Sequence, residues 1–282
     1  MRKIRMTQAG GIWYTTCMLL KIEDLCVSFR NDDGEVNAAA VDVNLTLDRG
    51  EVLGIVGESG SGKSSVSMSV ARLLPSPPAF YPKGRILLDG EDMLTLPLPA
   101  LRKIRGKKIG VIFQDPMGSL SPLHRIGAQL VETILLHEDM TKKAAEDMAL
   151  EWLGKVGIPD PAVRARAYPH ELSGGMQQRV MIAMGLMLGP DLVIADEPTT
   201  ALDVTIQAQV LRLMRDLHQS NSGVLLITHD LGVVSQMATK LAVMKDGHVV
   251  ETSNDPAAFF TEPVHPYSKG LVHEARKMEL ES

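Results

Sequence analysis

Residues Gly57–Ser64 match the pattern GxxxxGK[ST], which forms a loop that wraps around phosphate groups. The glycines allow a tight turn, and the backbone N–H groups, together with the start of the following helix, point at the β- and γ-phosphates. Lys63 adds a point charge, the Ser64 hydroxyl is placed to bind Mg²⁺, and Ser65 is placed to bond the α-phosphate. The predicted triphosphate-binding residues are Gly57, Glu58, Ser59, Gly60, Ser61, Gly62, Lys63, Ser64 and Ser65.

A second group of chemistry-bearing residues stands at the end of an apolar run. Leu192–Ala195 reads as a buried strand and leads directly into Asp196 and Glu197. Asp196 is placed to hold the Mg²⁺ shell, and Glu197 is placed to orient the attacking water or accept its proton. An Asp-Glu pair alone is usually a solvated loop. After a buried strand, in a chain that carries a phosphate loop, the pair predicts hydrolysis.

Residues Leu172–Gln178, with the sequence Leu-Ser-Gly-Gly-Met-Gln-Gln, precede a helical run at 179–188. The Ser173 side chain and the amides of Gly174 and Gly175 can cap that helix, and a helix N-terminus attracts anions. The sequence therefore predicts a second phosphate site. A serine cap with flanking glycines is common, so the segment gains its meaning from the phosphate loop and the two carboxylates.

Leu172–Gln178 resembles the signature motif of ABC ATPases, and it precedes the Asp-Glu strand at the distance seen in that family. In the family this site binds the γ-phosphate held by the opposite subunit. The resemblance therefore implies that Ser173, Gly174 and Gly175 contact ATP across a dimer. It covers the chain from about Met18 to Lys277.

Four further positions resemble motifs of the same family. Gln114 resembles the Q-loop glutamine, which senses Mg²⁺ and water and couples to the membrane domains. Asp203, in Ala201-Leu202-Asp203, resembles the D-loop residue, and His229 resembles the switch histidine that contacts the γ-phosphate. Phe29 matches the adenine platform, with a core aromatic residue as the alternative. The resemblance implies catalytic roles for Glu197, His229, Gln114 and Lys63, and Mg²⁺ coordination by Ser64, Gln114 and Asp196.

Three segments narrow the resemblance to bacterial importers of dipeptides, oligopeptides or nickel. They are Phe113–Met117, Ser173–Ala183 and His265-Pro266-Tyr267. The resemblance implies ATP-driven peptide uptake, with nickel as the alternative cargo. The fifth signature position is Met176, where most relatives carry glutamine, and this resembles the first of two non-identical ATPase subunits.

The same resemblance implies partners and a location. The partners are a second, homologous ATPase in a heterodimer, two integral membrane permease subunits and an extracytoplasmic substrate-binding protein. The location is the cytoplasmic face of the cell (inner) membrane. Many peptide-importer ATPases carry a later cysteine cluster for an iron-sulfur centre, but here no cysteine follows Cys26. We therefore expect ATP and Mg²⁺ as ligands and no iron-sulfur cluster.

The elements that position these residues alternate in type along most of the chain. Leu20–Phe29 alternates apolar and polar residues as an antiparallel strand does, and Glu51–Val56 leads through the phosphate loop into a helix. Arg85–Leu88 reads as a further strand. At about 116–189 the periodicity is helical, and beyond it strands and helices alternate again. This order predicts an α/β phosphate-loop NTPase with a mainly parallel core sheet, an antiparallel β subdomain and an α-helical subdomain. We expect a single ABC ATPase domain over 18–282, with a helical subdomain at 116–189 and a family-specific tail at about 255–282.

Composition agrees with a globular protein of 282 residues, 45% of them hydrophobic. The net charge is −5, so there is no basic excess of the kind that nucleic acid attracts, and no such partner is expected. Apolar stretches such as Met181–Leu188 are shorter than the ~20 residues that a membrane-spanning helix needs. Residues 1–17 lack the apolar core of a secretory signal. We expect them to be an unstructured extension, with translation starting at Met18.

Two other function classes are alternatives to transport. ABC ATPases that act in DNA repair insert a very long coiled coil before the signature motif, and ribosomal ones carry two cassettes in one chain. The segment after Gln114 is instead of transporter size. A regulatory module without turnover would be expected to lose Glu197 or His229, and both are present. Transport driven by ATP hydrolysis is therefore the prediction.

Overall fold

The computed structural model describes residues 5–9, 12–16, 18–199, 202, 204–219 and 222–281, with side chains for 18–199, 202, 205–216 and 222–277. Two units are distinguished: Met1–Pro97 with Ser220–Ser282, and Leu98–Gln219. In chain order the elements are β1 (Arg5–Ala9), β2 (Ile12–Thr16), β3 (Met18–Arg30), β4 (Val36–Asp48), β5 (Val52–Val56), α1 (Lys63–Val70), β6 (Ala79–Leu88), β7 (Glu91–Asp92), α2 (Leu98–Ile104), β8 (Ile109–Ile112), α3 (Pro116–Ser119), α4 (Ile126–His137), α5 (Lys142–Lys155), α6 (Pro161–Arg164), a 3-10 helix (Pro169–Glu171), α7 (Gly174–Leu186), β9 (Leu192–Asp196), α8 (Val204–Gln219), β10 (Gly223–Ile227), α9 (Leu231–Met237), β11 (Lys240–Lys245), β12 (His248–Ser253), α10 (Pro256–Thr261) and α11 (Pro266–Glu281).

The N-terminal extension, expected to be unstructured, contains the antiparallel strands β1 and β2. Arg5 lies opposite Thr16, and Ala9 lies opposite Ile12. The physical reason is composition: β2 has the sequence Ile-Trp-Tyr-Thr-Thr, and β-branched and aromatic residues favour strands. The extension lacks the pattern of a secretory signal, but its residues are suited to a hairpin.

The first unit contains an antiparallel sheet in the order β4-β3-β6-β7. Leu20, Ile22, Leu25 and Val27 of β3 are buried, which confirms the predicted alternation. The step of three residues from Ile22 to Leu25 coincides with a register shift against β4, and Asp24 there has a φ of 46°. This irregularity keeps the apolar side chains on one face.

Strand β6 begins earlier than predicted. The sequence indicated a strand only at 85–88, whereas pairing with β3 starts at Ala79, opposite Phe29. Pro82 and Gly84 interrupt the apolar pattern, and both residue types are unfavourable in a strand interior. Gly84 has a φ of 104°, a backbone conformation that residues with a side chain rarely adopt.

Parallel strands form the core of the first unit. β5 lies between β10 and β11 and is parallel to both, while β12 is antiparallel to β11. Every residue of β5 and β10 is buried, as expected for parallel strands covered on both faces. The end of β5 contributes Val56 to an apolar cluster with Val234 of α9, Phe259 of α10 and Val272 of α11. These helices therefore pack against the strand that leads into the phosphate loop.

The second unit combines the parallel pair β8 and β9 with helices. Ile112 of β8 lies opposite Ala195 of β9. A Cβ atom on Gly110 of β8 would collide with the carbonyl oxygen of Gly185, so the glycine permits close approach of α7. Residues 116–189 hold helices and connecting turns. Parallel strands, an antiparallel sheet and a helical part together confirm the predicted α/β fold class.

None of the helices in the described part of the chain combines the length and apolar character that a membrane-spanning helix requires.

Candidate functional site

The phosphate loop connects β5 to α1 as predicted, and two glycines explain its shape. Gly57 has a φ of 147° and Gly62 a φ of 98°. A Cβ atom at Gly57 would collide with the carbonyl oxygen of Met244, and one at Gly62 would collide with that of Ala39. Gly62 is also the N-cap of α1, so its conformation sets the direction of the helix. The loop thus forms a cradle in which both of these positions require glycine.

The Lys63 ammonium group lies inside this cradle. Its side chain donates to the carbonyl oxygens of Gly57 and Glu58 at 2.8 and 2.6 Å, and to the Ser61 hydroxyl at 3.3 Å. Lys63 is only 7% exposed. The loop therefore fixes the position of the positive charge that a triphosphate would meet.

The remaining predicted loop residues differ in accessibility. Ser64 and Ser65 lie in the first turn of α1. Ser64 is exposed, and Ser65 is half-buried. Ser59 and Gly60 are exposed. Ser61 is buried, and its carbonyl oxygen accepts a hydrogen bond from Gly247 at 3.1 Å. The exposed residues form the rim of the loop, and the buried ones anchor it.

His229 belongs to the same unit as the phosphate loop. It follows β10, whose Ile227 lies opposite Ile55 of the parallel strand β5. The N–H of Thr228 donates to the Ile55 carbonyl at 3.3 Å, and His229 itself is exposed. Because parallel strands end at the same edge of a sheet, His229 and the phosphate loop lie at that edge.

Phe29 stands near the end of β3. It lies opposite Asn37 of β4, and two residues further along β4 the carbonyl of Ala39 approaches Gly62. The antiparallel sheet thus connects Phe29 to the side of the phosphate loop. The Phe29 ring is half-buried, so part of its surface is accessible, as stacking on a base requires.

The second unit brings Gln114 and Glu197 together. The side-chain amide of Gln114 donates to a Glu197 carboxylate oxygen at 3.1 Å. Both residues follow paired parallel strands, since Ile112 of β8 lies opposite Ala195 of β9. Asp196, the last residue of β9, is 4% exposed. The Gln114 amide therefore holds one oxygen of the carboxylate that the sequence predicts to act on water.

Glu197 has an unusual backbone. Its φ is 48°, in the left-handed region that residues with a side chain rarely adopt. Such conformations cost about 1–3 kcal/mol and persist where the surroundings hold them, often in functional sites. The backbone of Glu197 thus turns sharply as the buried strand β9 ends.

The Ser173 side chain caps α7 as predicted. Its hydroxyl accepts a hydrogen bond from the N–H of Met176 at 3.3 Å. Ser173 and Gly174 are exposed, and a Cβ atom on Gly174 would meet no atom within 4 Å. Gly175, half-buried, completes the first turn. The N-terminus of this helix is therefore accessible to an anion.

Gln178 is a functional candidate that sequence reasoning missed. It is 1% exposed, and its amide donates to the carbonyl oxygens of Pro198 and Glu197 at 2.6 and 3.5 Å. A helix of the signature segment thus holds the backbone next to the predicted base. The sequence does contain a signal, because Gln178 is a polar residue whose neighbours on the same helix face, Met181 and Ile182, are apolar. It does not indicate which backbone groups the Gln178 amide binds. Its neighbour Gln177 binds the carbonyl oxygens of Pro169 and Leu172 instead.

The predicted residues thus form two groups, one in each unit. The first contains the phosphate loop, Phe29 and His229, and the second contains Gln114, Asp196, Glu197 and the Ser173 cap. Asp203, which resembles the D-loop residue, falls outside the described residues. Within the residues whose side chains are described, no group of three or more His, Cys, Asp or Glu could hold a metal ion.

Comparison with known proteins gives concordant matches. The ABC transporter family pattern matches residues 40–200. The chain is 50% identical to the oligopeptide transport ATP-binding protein OppD of Bacillus subtilis, over 93% of this chain and 73% of that protein. It is 48% identical to the dipeptide transport ATP-binding protein DppD of the same organism, over 93% of this chain and 78% of that protein.

Solved structures give the same result. The chain resembles the dimeric ATP-binding cassette MJ0796, solved in a post-hydrolysis state with ADP and phosphate, with a TM-score of 0.75 and 29% identity. The match covers 83% of this chain and 98% of the cassette.

Proposed function

The chain belongs to the ABC transporter family, and we propose that it is the ATP-binding and hydrolysing subunit of an importer of dipeptides or oligopeptides. The observation that carries the proposal is the 50% identity to an oligopeptide transport ATP-binding protein along 93% of the chain. The Gln114–Glu197 hydrogen bond and the glycine cradle around Lys63 support the hydrolytic role.

The residues of the two units suit different parts of ATP hydrolysis. The Lys63 ammonium group and the amides of the phosphate loop would bind the β- and γ-phosphates, except the Glu58 N–H, which donates to the Tyr267 hydroxyl. Ser64, Gln114 and Asp196 each carry an oxygen of the kind that Mg²⁺ prefers and would hold the ion, which would supply positive charge to the phosphates. These groups bind and orient the nucleotide before the reaction.

Glu197 would act on the attacking water. Its carboxylate, oriented by Gln114, accepts a proton while the water oxygen bonds to the γ-phosphorus and the bond to ADP breaks. His229 would contact the γ-phosphate, and Phe29 would stack on the adenine. The Ser173 cap of α7 would bind the γ-phosphate of a nucleotide held by the opposite subunit.

We also propose a heterodimer with a second, homologous ATPase. The dimeric solved cassette supports pairing of two such chains, and Met176 in the fifth signature position supports a non-identical partner. Two integral membrane permease subunits and an extracytoplasmic binding protein complete the assembly. The chain then lies peripherally on the cytoplasmic face of the membrane, with no nucleic-acid partner and no iron-sulfur cluster.

The assembly is tested by purifying the tagged chain from its native membranes in mild detergent and identifying the co-purifying proteins by mass spectrometry. We expect a second ATPase and two multi-span membrane proteins. Ribosomes, DNA-repair factors or the absence of membrane proteins would overturn the transport role and leave the ATPase role standing. An iron-sulfur absorbance band after anaerobic purification would contradict the predicted ligand set.

The cargo is tested separately, with the extracytoplasmic binding protein that serves that assembly. Its affinity for dipeptides, oligopeptides and Ni²⁺ is measured by calorimetry. Peptide binding supports the proposal, and binding of Ni²⁺ without peptide binding replaces peptide by nickel as the cargo.

A further inference from the structure

A side chain of the C-terminal tail contacts the phosphate loop. The Tyr267 hydroxyl oxygen accepts a hydrogen bond from the backbone N–H of Glu58 at 2.9 Å. Glu58 is the second residue of the loop, and Tyr267 belongs to the first turn of α11. In the sequence, His265-Pro266-Tyr267 indicates only a resemblance to a family. This hydrogen bond gives the segment a physical connection to the predicted nucleotide site.

Hydrogen bonds hold the C-terminal tail in place just before Tyr267. The Glu251 carboxylate on β12 accepts hydrogen bonds from the backbone N–H groups of Val264 and His265, at 2.9 and 2.8 Å. The His265 ring nitrogen Nδ1 accepts one from the N–H of Tyr267 at 3.2 Å. These bonds fix the turn that precedes α11, so the position of Tyr267 is set by the strand that carries Glu251.

The ring and hydroxyl of Tyr267 are held as well. The ring packs against the apolar cluster that includes Val56, and the Lys245 ammonium lies 5.0 Å from the ring centroid. Burial, together with the nearby Glu58 carboxylate, raises the pKa of the Tyr267 hydroxyl above its ordinary value. The hydroxyl therefore stays neutral at physiological pH and keeps its place next to the Glu58 N–H.

One peptide group connects Tyr267 to Lys63. The N–H of Glu58 and the C=O of Gly57 belong to the same planar peptide unit. The N–H donates to Tyr267, and the C=O accepts from the Lys63 ammonium group at 2.8 Å. Holding the N–H fixes the plane, so it also fixes the direction of the carbonyl that receives Lys63. Donation by the N–H also polarises the carbonyl and strengthens it as an acceptor.

We propose that Tyr267 is a positioning residue for nucleotide binding, which acts through the Gly57–Glu58 peptide on the Lys63 ammonium group. The inference rests on the phosphate-loop role given under the proposed function. Binding of ATP and formation of the Tyr267–Glu58 hydrogen bond are then coupled, and the coupling is reciprocal.

The direct test is Tyr267→Phe, which removes the hydroxyl and retains the ring. We expect ATP affinity to fall about threefold to tenfold, the effect of one hydrogen bond. In the assembled transporter the KM for ATP rises by the same factor, while kcat changes less than about twofold because Tyr267 does not touch the reacting atoms. Tyr81→Phe on β6 is the matched control, and its ATP affinity and KM should equal those of the wild type.

A double variant separates positioning from a general loss of stability. If Tyr267 acts through Lys63, Tyr267→Phe has no further effect on ATP affinity in a Lys63→Ala background. An equal additional loss in that background, accompanied by a lower melting temperature without nucleotide, assigns Tyr267 a structural role and overturns the inference. Glu251→Gln provides a second variant, which loosens the turn without altering the ring and should weaken ATP binding in the same direction.

The outcomes distinguish the inference from the function on which it rests. If the wild type does not bind ATP, or Lys63→Ala binds it equally well, the phosphate-loop role fails. If Lys63→Ala weakens ATP binding and both Tyr267→Phe and Glu251→Gln match the wild type, only the Tyr267 inference is overturned.

Discussion

The phosphate loop and the Glu197 site both begin at the end of a buried strand, but their internal contacts span very different lengths of sequence. Lys63 donates to the carbonyl of Gly57, six positions away. Glu197 accepts from Gln114, 83 positions away. The charge that would bind phosphate is thus oriented by its own loop, whereas the predicted base is oriented by a residue from a distant element.

The two sites also use backbone strain differently. In the phosphate loop, glycines take up the positive φ angles without steric cost. At Glu197 a residue with a long side chain takes a φ of 48°, and the Gln178 amide binds the carbonyls of Glu197 and Pro198. The conformation of the phosphate loop is therefore specified by a short local sequence, whereas that of the Glu197 site depends on tertiary contacts. Binding and turnover should accordingly be separable by mutation.

The largest effect is expected for Glu197→Gln. Loss of the proton acceptor should lower ATP turnover by about two to four orders of magnitude, because a general base contributes that much. ATP affinity should stay near that of the wild type, and the dimer should be trapped closed with ATP bound. Phosphate release and equilibrium binding measure the two quantities. Unchanged turnover would remove Glu197 from the base role.

Lys63→Ala should give the opposite pattern. Removing the charge should weaken ATP binding about tenfold to a hundredfold, the effect of losing charge-assisted hydrogen bonds to phosphate. Lys143→Ala, which removes an exposed ion pair with Asp147, is the matched control and should bind ATP normally. Equal ATP affinity in Lys63→Ala and the control would contradict the phosphate-loop role.

Gln178→Leu should impair turnover through Glu197. Loss of the amide leaves carbonyl groups unsatisfied, which should cost about 1–3 kcal/mol of stability, and should lower turnover about tenfold. The effect on turnover should vanish in a Glu197→Gln background, since the two changes then act on one group.

Gln177→Leu is the matched control for this cycle, because Gln177 is also buried and also binds two backbone carbonyls. Its stability loss should be similar, but any effect on turnover should persist in the Glu197→Gln background. If the two glutamines behave alike in the cycle, Gln178 has no specific link to Glu197.

The smallest effect concerns the tail that fastens Tyr267. Burial acts to raise the pKa of the Glu251 carboxyl, but hydrogen bonds, among them those from the Val264 and His265 N–H groups, outweigh it and lower the pKa below 4.5. A carboxyl whose folded pKa is lowered stabilises the fold above its unfolded pKa and loses that contribution as pH falls through the folded value. Wild-type stability should therefore drop more than that of Glu251→Gln as the pH falls into the acid range below the ordinary pKa of a glutamate. Parallel melting curves would contradict this.

The sequence predicted the elements that are specified locally. The glycine loop, the Ser173 cap and the buried strand before Asp196 each follow from residue types within a few positions, and the structure has all three. The sequence did not predict the full length of β6, because Pro82 and Gly84 interrupt the apolar pattern of a strand that pairs with β3. The sequence analysis also did not predict the antiparallel pairing of 5–9 with 12–16, for which the only local signal is the content of residues that favour strands.

The missed functional contacts share one physical cause. Gln178 and Tyr267 act by binding backbone groups of distant segments, and no local pattern states which carbonyl or N–H a side chain will meet. The fold class and the roles implied by family resemblance could be stated from motifs. The residues that hold those motifs in place are identified only by their contacts in the folded chain.

The most direct test of the account is peptide uptake into vesicles that contain the assembled transporter, the binding protein outside and ATP inside. Wild-type vesicles should accumulate labelled peptide only when ATP and Mg²⁺ are enclosed, and vesicles carrying Glu197→Gln should bind ATP without sustained accumulation. Equal peptide uptake by the two, or uptake independent of ATP, would contradict the claim that hydrolysis at this chain drives import.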